Sequence, residues 1–112
     1  MASTAQERFE EARRVFNDTE KNKRVDLRDS TTLAQVQSVL RNAEKAEIVY
    51  LKASRAVLEA NGPAVEAAYK AAKSANDAVS KARKDAEAVA DRIRKVATAI
   101  SAVGDLVNKA KS

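Results

Sequence analysis

The chain has 112 residues, with 21 Lys and Arg against 16 Asp and Glu, a net charge of +5, and neither His nor Cys. That length suits one domain able to bury a core without disulfides or metal. The missing residue types remove the commonest general base, the commonest metal ligand and any thiol nucleophile.

Leu, Ile, Val and Phe number only 23, whereas Ala contributes 24. Ala, Glu, Lys, Leu and Arg together make up 60 residues. The first count borders on disorder; the second, joined to a helical period, is the composition of long helices or coiled coils. The chain therefore reads as all-α, a single helical domain over residues 1–112. Gly62, Pro63 and Gly104 are the only glycines and proline, and they divide the chain into three helices.

The first helix is expected over about 4–22. Ser3 and Thr4 each head a capping box, with Gln6 and Glu7 three residues on. Ala5, Phe9, Ala12, Phe16 and Thr19 recur at four- and three-residue steps on one face. From Lys21 to Thr32 the period fades into charge, and Val25 and Leu27 alternate with polar residues, which suggests a short extended connection.

The second helix is expected over 32–61, capped by Thr32 with Gln35. Its apolar residues, Leu33 to Leu58, cover more than one stripe, which implies packing on two sides. Asn61-Gly62-Pro63 is the clearest punctuation: Gly62 can take a left-handed position and Pro63 suits a first helical turn. A tight hairpin follows, with helices two and three as antiparallel neighbours.

The third helix is expected over 63–111. Val65, Ala68, Ala72, Ala75, Val79, Ala82, Ala86, Val89, Ile93, Val96, Ile100, Val103 and Val107 alternate steps of three and four without a slip. That spacing is the a/d seam of a left-handed coiled coil. The Ser74–Asp77 stretch is the expected site of any break, since Ser or Asn could cap a new helix there. The second helix covers only the alanine half of the stripe. The Val/Ile half, Val89, Ile93, Val96, Ile100, Val103 and Val107, is left to meet the first helix, a second copy or a partner helix. These six residues are the expected protein interface, and a symmetric homodimer would complete the bundle.

Chemistry is sparse. Glu10/Glu11, Asp26/Asp29 and Asp85/Glu87 are paired acids, but residues two apart on a helix do not face each other, and no Glu-x-x-His metal pair exists. Ser and Thr lack an activating base. No glycine-rich phosphate loop is possible. The expectation is a protein without enzymatic activity, cofactor or bound metal, and without a small-molecule substrate. Tyr50 and Tyr69 could flank a ligand pocket between helices two and three, but read more simply as core residues.

Charge gives the alternative. Residues 63–112 carry +4 of the net charge, and Lys81, Arg83, Lys84, Arg92, Arg94 and Lys95 form the densest basic cluster. Such a face could track a nucleic acid or another polyanion, although Asp85, Glu87 and Asp91 interrupt it. A membrane surface is disfavoured by the narrow, alanine-rich stripe, and no run is long enough to span a bilayer. The N-terminus has no apolar signal core, so the default location is cytoplasmic. The leading expectation is a non-enzymatic interaction or adaptor protein acting by helix–helix recognition and self-association.

Overall fold

The computed structural model describes residues 2–112. It is all-helical among those residues, with four helices: α1 (Ala5–Asp29), α2 (Leu33–Arg55), α3 (Pro63–Lys84) and α4 (Val89–Ala110). The three-helix expectation is corrected to four, because the third helix is folded in two.

The break falls at Asp85–Ala88, not at Ser74–Asp77. The Glu87 N–H donates to Ala82 O at 3.0 Å and the Ala86 N–H to Arg83 O at 3.1 Å. Those two bonds, with Ala86 at φ 51°, form a Schellman motif, which closes a helix on a left-handed residue. Glycine normally takes that place, since a Cβ there is strained by about 1–2 kcal/mol. Alanine gives no sequence cue to a turn, and the unbroken heptad spelled continuity.

Packing repays that strain. The alanine half of the stripe, with Val65, Ala68, Ala72, Val79 and Ala82 buried on α3, folds back against α4, where Val96, Ile100, Val103, Leu106 and Val107 are buried. Burying each larger apolar side chain contributes roughly 1.5–3 kcal/mol. α3 and α4 form the most extensive helix pair of the bundle.

α1 extends to Asp29, seven residues past its expected end. Thr4 caps it as read from the sequence: its side chain accepts from the Glu7 N–H at 3.1 Å while Glu7 accepts from the Thr4 N–H at 2.9 Å. The stretch expected to be extended is helical because Asp26 and Asp29 gain cationic partners from α3 and α4. α2 begins at the expected Thr32 cap, whose side chain accepts from the Gln35 N–H at 3.1 Å, but it stops at Arg55, not 61.

Residues 56–62 instead form a link, and this changes the topology. α1 packs against α2, α3 and α4, and α4 also packs against α2, whereas α2 and α3 make no contact. The expected tight hairpin of helices two and three is therefore absent. The link carries the chain across the long diagonal of a four-helix rhombus. Gly62, at φ 129°, and Pro63 start α3, so the motif marks a helix start and not a two-helix turn. Neighbouring helices α1/α2 and α3/α4 are antiparallel.

Each end of the bundle is tied by arginines, a buried one at one end and two partly buried ones at the other. At the end holding the link, Arg8 is only 1% exposed. Its Nη1 donates to Leu58 O at 2.7 Å and Ala60 O at 2.8 Å, its Nε to Ser3 Oγ at 2.9 Å, and its Nη2 to Glu66 at 3.0 Å. At the other end, Arg83 grips Asp18 and Asp26 at 2.9 Å each, and Arg92 meets Asp26 at 3.3 Å and Asp29 at 2.6 Å.

Candidate interaction surface

The structure divides the six expected interface residues. Val96, Ile100, Val103 and Val107 are buried in the core, and Val89 and Ile93 are half-buried. The stripe is thus covered largely by the chain itself, with Val89 and Ile93 left partly exposed. The reason is the break at Asp85–Ala88, which removes the overhang that a straight third helix would have had.

The expected polyanion cluster is also largely engaged. Arg83 and Arg92 face inward on Asp18, Asp26 and Asp29. Lys81 pairs with Asp85 at 2.8 Å, Arg94 with Asp91 at 2.9 Å and Lys95 with Glu87 at 2.7 Å. Of the six, Lys84 alone is without an acidic partner among the described residues. The interrupting acids are therefore the partners of the bases around them. Burial works against the Arg83 charge, but Asp26 and then Asp18 outweigh it and hold its pKa above the usual arginine value. The hydrogen bond from Arg92, followed by that from Arg28, holds the Asp29 carboxyl below its ordinary value.

Tyr50 and Tyr69 do not line a shared pocket, because α2 and α3 are apart. Tyr50 instead stacks on Phe16 of α1 at a ring separation of 4.6 Å and tilts against Phe9 at 5.8 Å. Among the described residues, no cluster of three or more acidic side chains is arranged to hold a metal ion, and no helix is long and apolar enough to cross a membrane.

What remains open is α2. Its inner side buries Val39, Ala43, Ala46 and Ala53. Its outer side exposes Leu33 (72%), Leu40 (45%), Ile48 (44%) and Leu51 (43%). At 3.6 residues per turn, Leu33, Leu40 and Leu51 fall almost on one line, with Ile48 beside it. The second apolar side read from the sequence is real, but nothing in the chain covers it.

Next to this row lies a groove of about 480 Å³ between the parallel helices α2 and α4. Ile48, Val49, Ala97, Ile100 and Gly104 give it apolar walls, Asn42, Lys45, Ser101 and Asn108 add polar groups, and Asp105 at its edge is paired with Lys109. Small residues on α4 make it deep. A Cβ on Gly104 would sit 3.7 Å from Val49 Cγ2, an ordinary contact, so Gly104 widens the groove without being sterically required. The Asn42 side-chain amide donates to Ile93 O at 3.1 Å and ties the two walls together.

Arg41, Lys45, Lys52 and Arg55 run along the same side of α2. None has an acidic partner among the described residues. Sequence reading passed over them because residues 31–62 carry a net charge of only +1. Their 4, 7, 3 spacing beside a doubly apolar helix is the signal that could have found them. No protein-family model, curated protein or solved structure matches the chain.

Proposed function

We propose that this chain is a non-enzymatic interaction protein that works by helix–helix recognition, and that its recognition surface is the outer face of α2 with the adjoining groove to α4. The observation that carries the reading is the row Leu33, Leu40, Ile48 and Leu51, which with Val57 of the link are the large apolar side chains left exposed among the described residues. Large apolar side chains left exposed in a row on a small protein mark a binding site. An amphipathic helix laid in an apolar groove is a recurrent recognition mode. The non-enzymatic part is supported by where the acids go: Asp18, Asp26 and Asp29, the densest carboxylate group, are committed to two arginines and are not aimed into the groove.

A photo-reactive amino acid placed at Ile48 tests this in the cell that makes the protein, with Lys73 on the outer side of α3 as the control position. Discrete adducts from position 48 and none from position 73 are expected; an adduct of twice the chain mass would identify the partner as a second copy. No adduct at position 48, or the same ladder from both positions, overturns the reading.

A further inference from the structure

The charge along α2 differs from the charge at the two ends and along α4; Lys21, Lys23 and Arg24 on α1 and Lys70, Lys73 and Lys84 on α3 also have no acidic partner among the described residues, but none of these lines the α2–α4 groove. At the two ends and along α4, most arginines and lysines are matched to carboxylates within the chain. Arg41, Lys45, Lys52 and Arg55 are not. At 3.6 residues per turn these four fall within an arc of about 80° and span about 21 Å of helix. The arc borders the groove: Lys45 lines it, and Lys52 and Arg55 line the adjacent recess with Val107 and Lys111.

We propose that this face docks an acidic amphipathic helix of a partner protein, its apolar side in the α2–α4 groove and a row of Asp or Glu against Arg41, Lys45, Lys52 and Arg55. The inference rests on the helix-recognition reading and names the partner's chemistry. Charge complementarity selects it over the other occupants. A two-fold antiparallel pairing of α2 with α2 of a second copy sets the cationic flank against itself, which is repulsive. A lipid surface would press Glu44, which falls in the leucine arc between Leu40 and Ile48, against acyl chains. Nucleic acid has no use for an apolar groove without stacking rings, and Phe9, Phe16 and Tyr50 are packed on one another. The groove runs beside about two turns of α2, and with the adjacent recess at Lys52 and Arg55 the stretch reaches about four turns, which matches a helix of similar length.

The test uses a displayed library of helices about four turns long, with Leu at alternating third and fourth positions and flanks randomised among Glu, Lys and Ser. Enriched helices are expected to carry Glu on one flank. Lys-flanked versions should bind at least about tenfold more weakly, and the gap should shrink with salt. The triple variant Lys45→Glu, Lys52→Glu, Arg55→Glu should invert the preference, and Ser101→Trp, which fills the groove from an exposed position, should abolish binding. Lys70→Glu with Lys73→Glu on α3 should change nothing. Circular dichroism checks that each variant keeps its helix content. Enrichment without a charge preference, or a preference that survives the reversal, removes the acidic partner and leaves helix recognition standing. No enrichment removes both. Stronger retention on phosphatidylglycerol vesicles or duplex DNA than on any enriched helix, lost on the same reversal, overturns the proposal in favour of that surface.

Discussion

The two ends of the bundle solve the same problem with opposite chemistry. Both must hold helix termini together around arginine side chains drawn in from solvent. At the link end, Arg8 is satisfied chiefly by neutral groups, two backbone carbonyls and a serine hydroxyl, with Glu66 as its single carboxylate. At the other end, two arginines share three aspartates. Asp26 and Asp29 sit in the last turn of α1 and Arg92 near the N-terminus of α4, positions that the helix dipoles disfavour for each sign. The ion pairs correct the mismatch. The link end is thus an anchor for irregular backbone, and the far end is an electrostatic lock between helix termini.

The largest test of this contrast is Arg8→Ala. It strips the donors from Leu58 O and Ala60 O and unpairs Glu66, and should cost about 3–5 kcal/mol in urea unfolding. A loss below about 1 kcal/mol would show that the link holds its path without the anchor. Asp26→Asn breaks the far end at its most buried acid and should cost about 2 kcal/mol, since Arg83 and Arg92 keep Asp18 and Asp29.

Acid should separate the ends by degree. The Arg92 and Arg28 hydrogen bonds lower the Asp29 pKa, and the Ser3 backbone N–H leads in lowering that of Glu66. For a lowered carboxyl the stabilisation is fully present above its ordinary value, 3.8 for Asp29 and 4.5 for Glu66, and is lost as pH falls through the lower folded value. Melting temperature should therefore drop below about pH 4.5. Asp29→Asn should flatten the lower part of that decline and Glu66→Gln the upper part. Identical pH profiles for the two variants and the parent would refute the assignment.

Smaller changes sharpen the same comparison through the turns. The link end uses Gly62 for its positive φ, whereas the far end forces Ala86 into one. Ala86→Gly should raise stability by about 1 kcal/mol, seen as a higher melting temperature, whereas Gly62→Ala should lower it. Leu33→Gln, beside the far-end loop but 72% exposed, should stay within about 0.5 kcal/mol of the parent. A larger loss would mean that the outer row of α2 packs within the chain and is not open.

The legible parts of the sequence were those written in local chemistry. The Thr4 and Thr32 caps, the all-helical composition and the doubly apolar character of α2 are properties of a few neighbouring residues. The Val/Ile half of the Val65–Val107 stripe was expected to meet the first helix, a second copy or a partner helix; α1 does pack on α4, but the folded-back α3 packs on it more extensively, because a heptad says which side is buried and not what buries it. The turn at Ala86 was invisible because it is held by tertiary packing against an adverse residue. The extension of α1 to Asp29 was missed for a related reason: Asp26 and Asp29 look like loop residues until Arg83 and Arg92, more than fifty positions away, are brought to them. The cations of α2 were overlooked because net charge averages over sides of a helix that never meet.

The link at residues 56–62 has a consequence for how copies of the chain could assemble. With helices about 9 Å apart, the long diagonal of the rhombus is about 16 Å, and the eight Cα steps from Arg55 to Pro63 reach about 26 Å when extended. Removing five residues leaves three steps, about 10 Å of reach. Such a chain could form its α1/α2 and α3/α4 hairpins but could not bring them together within one molecule. Each hairpin would then complete its bundle with the complementary hairpin of another copy, and the product would be an exchanged dimer built from the same core contacts.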